Sequence, residues 1–229
     1  MNILALDTCT ESCSAALLYQ GELFEQVEMT QRGHSDLILG MMDTLFKQAG
    51  TSISSVDVLA FGRGPGSFTG VRVGVGVAQG IAFARDIPVV PISSLAAVAQ
   101  DATDKFQVEF IAVAMDARMG EVYCASYQVV NGIVQLLGEE RVCPPEQFIP
   151  EQDHQWLAVG TGWGVYEQEL RENFADKLSE VSVEHYPYAS RIITLAQIEI
   201  TAGRLLTADK AMPVYLRNNV AKKKGEQKK

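Results

Sequence analysis

Histidine is scarce in this chain. The three that occur (His34, His154 and His185) never fall in an H-x-x-x-H or H-E-x-x-H pair, so no metalloprotease helix is expected. Cysteine is nearly as rare, with Cys9, Cys13, Cys124 and Cys143 the only four. Cys9 and Cys13 have the spacing of some metal sites, but no further Cys/His pair completes a tetrahedral set, and no metal is expected. No apolar run approaches the roughly 20 residues that a bilayer crossing needs, so no membrane span is expected. The opening MNILALDT reaches an aspartate without a basic region or a cleavage site. It does not read as a secretory leader, which implies reduced thiols and a cytoplasmic location. Net positive charge is also missing: the formal charge is −9, and an acidic body repels the phosphates of nucleic acid. The exception is the end, AKKKGEQKK. Its plain reading is a solvated, flexible basic tail over residues 222–229, with Lys222, Lys223 and Lys224 as candidates for RNA contact.

What is present is a duplication. With 229 residues and 47% hydrophobic content, the chain suits two similar lobes of about 100 residues each. The stretch ILALDTCTESCSAALLYQGELFEQVEM reads as strand, loop, strand, a tight turn at Gln20-Gly21, strand. The stretch FIAVAMDARMGEVYCASYQVVNGIVQLLGEERV repeats the pattern, with Asp116 in the place of Asp7 and an Asn131-Gly132 hairpin turn. Downstream, VDVLAFGRGPG and WLAVGTGWG are each a strand running into glycines, and a helix is expected after each. The pattern β-β-β-α-β-α therefore occurs twice. It divides the chain into an N-terminal lobe, 1–103, and a C-terminal lobe, 104–221, of mixed α/β class with an actin-like, ribonuclease H-like architecture.

The segment GRGPGSFTG, residues 62–70, fails three spellings of familiar glycine loops. Gly70 is followed by Val71 and Arg72 where a P-loop needs lysine and a hydroxyl residue. Thr69 stands where a dinucleotide fingerprint needs its third glycine. Pro65 and Thr69 flank Ser67 where a nucleophile elbow needs glycines. Thr69 is expected to cap the following helix. Gly70, Gly74, Gly76 and Gly80 would each cost that helix on the order of 1 kcal/mol against alanine, which makes sense only where another backbone comes close. Gly76 and Gly80 are one turn apart and leave a groove for a crossing helix.

An earlier helix, HSDLILGMMDTLFKQAG, carries an apolar stripe at Leu37, Ile38, Met41, Met42, Leu45 and Phe46, with Leu39 outside it. An apolar surface on more than one face suits a helix between a core and a partner, and paired methionines adapt to binding surfaces. His34 reads as a capping residue. Asp7 and Asp116 occupy the places where actin-like phosphotransferases hold a metal-nucleotide, yet Ala117, Arg118 and Met119 follow Asp116 where phosphate would need room. The bulky Trp163 sits among Gly160, Gly162 and Gly164. The nucleotide cleft is therefore expected to be partly filled.

The segments ILALDTCTESCSAAL, GHSDLIL, AFGRGPGSFTGVRVGVGVAQGIA, DARMGEVYCASY, VGTGW and PVYLRNNVAKKK together resemble the TsaB (YeaZ) family of bacterial tRNA threonylcarbamoyladenosine proteins. The likeness runs from residue 1 to about 224. It implies an actin-like fold without the metal-binding histidines of the catalytic paralogue TsaD. It also implies a supporting role: pairing with TsaD and, with the ATPase TsaE, transfer of threonylcarbamoyl from its adenylate to a tRNA adenosine. Homodimers are implied as well. The partner interface would use Leu37, Ile38, Met41, Met42, Leu45, Val73, Gly76, Val77 and Gly80. Asp7, Thr8, Gly64, Gly66, Ser67, Thr69, Gly70 and Asp116 would be a vestigial phosphate loop, with no catalytic residue and no cofactor of the chain's own. ATP or ADP would sit at the interface with TsaD or on TsaE. An independent nucleotide-dependent transferase using Asp7 and Asp116 is the alternative. A protease is a remoter one, because no nucleophile–base pair is evident in the residues.

Overall fold

The computed structural model describes residues 1–150 and 153–217. The tail lysines Lys222, Lys223 and Lys224 lie outside the described residues. The first half forms β1 (Ile3–Asp7), β2 (Ser12–Tyr19), β3 (Glu22–Met29), α1 (His34–Gln48), β4 (Val58–Gly62), α2 (Phe68–Arg85), β5 (Val89–Ile92) and α3 (Ser94–Ala102). The second forms β6 (Phe110–Asp116), β7 (Val122–Val130), β8 (Ile133–Cys143), β9 (Trp156–Val159), α4 (Gly162–Val165), α5 (Glu167–Phe174), β10 (Leu178–Ser182) and α6 (Ala189–Thr201).

The two sheets have one plan. Strand order is β3-β2-β1-β4-β5 in the first and β8-β7-β6-β9-β10 in the second. In each, the opening three strands pair antiparallel, and the first strand pairs parallel with the fourth. The hairpin turns are as expected from their residues: Gln20 and Gly21 have φ of 51° and 87°, Asn131 and Gly132 of 53° and 77°. Positive φ at both central positions is the turn whose twist matches the flanking strands. Each sheet also gains a fifth strand that the repeat pattern omits. The duplication is otherwise imperfect, because α1 has no helical counterpart. Between β8 and β9 the described residues make only a single 3-10 turn, Pro145–Gln147, in a stretch where Pro144 and Pro145 disfavour continued helix.

The halves are knit by an exchange of helices. α3, from the first half, packs on β6, β7, β8 and β9, while α6, from the second, packs on β1, β2, β4 and β5. One hydrophobic cluster accordingly mixes Ile3, Ala60 and Val98 with Ile111, Leu157 and Ile192. The expected lobe boundary at 103/104 falls immediately after α3. Side chains of the first sheet also serve the start of α6: the Ala189 N–H donates to Ser14 Oγ at 3.0 Å, and the Ser190 N–H to Glu25 Oε1 at 2.8 Å. Among the described residues, no helix is long and apolar enough to cross a membrane.

Candidate functional site

The glycine segment leaves β4, turns, and enters α2. Ser67, not Thr69, caps that helix: its side chain accepts the Gly70 N–H at 3.4 Å, while Thr69 is exposed. A β-carbon at Gly66 would overlap the Cys9 carbonyl oxygen, one at Gly70 the Thr8 carbonyl oxygen, and one at Gly62 the Asp7 carboxylate. At Gly74 it would stand 2.8 Å from Thr8 Oγ1. The Ser67 N–H donates to the Cys9 carbonyl at 2.7 Å. What these glycines admit is therefore the chain's own residues Asp7, Thr8 and Cys9, at the end of β1 and the start of the β1–β2 turn. Gly76 and Gly80 behave differently: a β-carbon at either meets nothing within 4 Å.

Of the paired aspartates, only Asp116 lines the cleft between the halves, a cavity of about 460 Å³. Its carboxylate accepts the Arg118 N–H at 2.8 Å and the Tyr166 hydroxyl at 3.3 Å, and pairs with the Arg118 guanidinium at 2.9 Å. Arg118, Met119 and Gly120 all have positive φ, a run that wraps the turn around Asp116. Asp7 is fully buried behind the β1–β2 turn. One oxygen accepts the Cys9 N–H at 2.8 Å, and the other has no hydrogen-bond partner among the described residues. Loss of water around the carboxylate pushes its pKa up to about 7, against the smaller lowering by the Cys9 hydrogen bond. Trp163 does not fill the cleft. It is buried in the second half's own core, its indole N–H donating to the Ala112 carbonyl at 3.1 Å. The cleft is narrowed instead by a strap at 214–217. The Val214 N–H donates to the Arg63 carbonyl at 2.8 Å, and Arg217 pairs with Glu121 at 2.5 Å. His34, expected to cap α1, bonds through Nε2 to the Thr10 carbonyl at 2.8 Å, and Gly33 holds the cap position.

One arrangement was not legible from spacing. Asp101 on α3 bonds His185 Nδ1 at 2.6 Å, and His185 Nε2 lies 3.0 Å from Ser182 Oγ. A serine–histidine–aspartate chain therefore exists, contrary to the expectation that the residues supply no nucleophile–base pair. Asp101 and His185 are nearly wholly buried, and the second Asp101 oxygen accepts from Arg191 at 3.2 Å. None of the three residues lines the cleft or the second cavity beside Gln100 and Phe106. The chain of bonds ties α3 to the segment that leads into α6. Elsewhere all four cysteines are free and buried, with Cys124 and Cys143 sulfurs 3.5 Å apart. Among the described residues, no group of three or more histidines, cysteines and acidic residues is placed to hold a metal ion.

The expected partner stripe needs the largest revision. Ile38 and Leu45 are 0% exposed, Met42 5% and Met41 9%, all within the core under the first sheet. Leu37 is half-buried beside them. Apolar periodicity marks the face that a helix buries, and here the sheet takes nearly all of it. Exposed apolar and small residues of the two helices include Leu39 and Gly40 on α1, and Gly76, Gly80 and Phe83 on α2, with Val73 and Val77 half-buried.

A family model described as "TsaD: tRNA N6-adenosine threonylcarbamoyltransferase" matches residues 25–225. The tRNA threonylcarbamoyladenosine biosynthesis protein TsaB of Haemophilus influenzae is 46% identical, over 98% of this chain and 97% of its own. The Escherichia coli protein of the same name is 40% identical over 98% of each. Among solved structures, YeaZ from Pseudomonas aeruginosa superposes with a TM-score of 0.89 at 42% identity, covering 94% of this chain and 99% of that one.

Proposed function

The chain belongs to the TsaB family, with a role in tRNA threonylcarbamoyladenosine modification, and from that premise we propose that it acts there as a non-catalytic subunit that docks other proteins. The observation that carries this reading is the exposed apolar surface of α1 and α2, where Leu39 is 55% exposed and Phe83 82%, and where a β-carbon at Gly76 or Gly80 meets nothing within 4 Å among the described residues. Glycines in a helix interior cost stability, and here nothing among the described residues uses the space they leave. A crossing helix of TsaD, or of a second copy of this chain, uses it. With TsaD, and with TsaE as ATPase, the assembly transfers threonylcarbamoyl from threonylcarbamoyl-AMP to N6 of the adenosine 3′ of the anticodon, in tRNAs reading codons that begin with adenine. ATP or ADP belongs to the TsaD interface or to TsaE, and the assembly works in the cytoplasm.

The reading of an independent nucleotide-dependent transferase loses ground on geometry. Asp7 is sealed behind the β1–β2 turn, and Asp116 is already bonded to Arg118 and Tyr166. The test is co-purification with TsaD, followed by the tRNA modification assay with and without this chain. Modification that proceeds at full rate without it removes the docking role. ATP turnover by the chain alone, lost on Asp116→Ala, would restore the transferase.

A further inference from the structure

The first turns of α2 carry a cluster that neither the glycine groove nor the Asp116 network uses. The rings of Phe68 and Tyr215 have centroids 5.9 Å apart and planes 35° apart. The Arg72 guanidinium carbon lies 3.3 Å from the Phe68 ring centroid and 5.4 Å from that of Tyr215. Arg72 Nε donates to the Tyr215 hydroxyl at 2.8 Å. All of this is at the surface: Phe68 is 50% exposed, Tyr215 43%, and Arg72 is exposed.

The charge of Arg72 distinguishes it from the two arginines that line the cleft with Phe68 and Tyr215. Arg118 is paired with Asp116, and Arg217 with Glu121. Arg72 has only neutral contacts among the described residues, one phenol oxygen and two rings. In a chain of net charge −9, it is a cation held in place with no carboxylate among the described residues to neutralise it. With Nε engaged and the plane steadied by Phe68, its two terminal nitrogens are left to donate as a fork, the geometry that matches a phosphate or carboxylate. Half-exposed aromatic faces beside a planar cation are what unpaired nucleic-acid bases stack upon. The strap that carries Tyr215 also leads in sequence to Lys222, Lys223 and Lys224, so further positive charge follows close behind.

We propose that Phe68, Arg72 and Tyr215 form a stacking platform for an unpaired base of RNA, with Arg72 taking an adjacent phosphate. The choice of RNA rests on the role in tRNA modification. The competing occupant is a carboxylate of a protein partner, since Arg72 lies one helical turn before Gly76 on α2.

Fluorescence anisotropy with an unmodified tRNA transcript, across a salt series, tests this on the full chain alone and assembled with TsaD and TsaE. Arg72→Gln should weaken binding on the order of tenfold and lower the salt slope by about one. Phe68→Ser and Tyr215→Ser should weaken it to a similar degree with the slope unchanged, because stacking releases no counterions. Arg72→Lys should keep the slope and lose affinity, and a fully paired RNA duplex should not respond to any of the four. Wild-type affinity and slope in all variants would overturn the platform, as would an absence of tRNA binding in both forms. Loss of TsaD binding without loss of tRNA binding would assign the cluster to a protein contact instead. Binding to tRNA by the chain alone reports on the platform even where co-purification with TsaD fails, so the two readings fall separately.

Discussion

The Thr8 hydroxyl donates to the Gly70 carbonyl at 2.6 Å, and a β-carbon on Gly70 would overlap the carbonyl oxygen of Thr8 itself. The first turn of α2 and the β1–β2 turn thus meet at Gly70 through both the side chain and the backbone of Thr8. Gly70→Ala should destabilise the fold by about 1–3 kcal/mol, as overpacking in a filled core does. Gly76→Ala, in open space on the same helix, should stabilise the isolated chain by up to about 1 kcal/mol. Urea denaturation of both variants checks the pair, and equal destabilisation would mean that Gly76 is also packed internally.

Met41 and Phe83 should separate core from docking face. Met41 is 9% exposed and Phe83 is 82% exposed. Met41→Glu should lose the cooperative thermal transition, because it buries a charge without a partner. Phe83→Glu and Leu39→Glu should leave circular dichroism and melting unchanged while abolishing self-association and TsaD binding. Sedimentation of each variant, alone and mixed with TsaD, gives the outcome; dimers that survive both exposed substitutions would move the interface elsewhere.

Asp7 makes stability depend on pH in a known direction. Its folded pKa, about 7, lies above the ordinary carboxylate value of about 3.9, so the native state holds a proton that the unfolded state releases. The stabilisation is complete below the unfolded value and is lost as pH rises through about 7, by at most about 1.4 kcal/mol per pH unit within that window. Asp7→Asn removes this dependence and should be more stable than wild type above pH 7 relative to their difference near pH 4. Parallel stability–pH curves for the two proteins would show that Asp7 titrates normally.

The Asp101–His185–Ser182 chain should behave as a tie. His185→Ala leaves a buried carboxylate short of a partner and should cost about 1–3 kcal/mol, while Ser182→Ala should cost about 1 kcal/mol or less. A fluorophosphonate probe should leave Ser182 unmodified in the native protein. Labelling of Ser182 that His185→Ala abolishes would instead make it an activated nucleophile.

The sequence by itself determined the local pieces and their repetition. Gln20-Gly21 and Asn131-Gly132 dictate hairpins because few residue pairs accept two positive φ values. Two such units imply two like sheets, and the long spelling of residues 62–70 with 116–123 marks the family. Tertiary structure alone decided where each apolar face and each glycine goes. A stripe such as Ile38, Met41, Met42 and Leu45 says that something covers it, but the same periodicity serves a sheet or a partner, and the sheet takes it. Glycines at 70 and 76 read alike along one helix, yet the first meets the backbone of Thr8 and the second meets open space. Asp101 and His185 are 84 positions apart, and only the exchange of α3 and α6 between sheets brings them together. Local turn chemistry acts over a few bonds and can be read in order, whereas burial is settled by surfaces that meet only once the chain has folded.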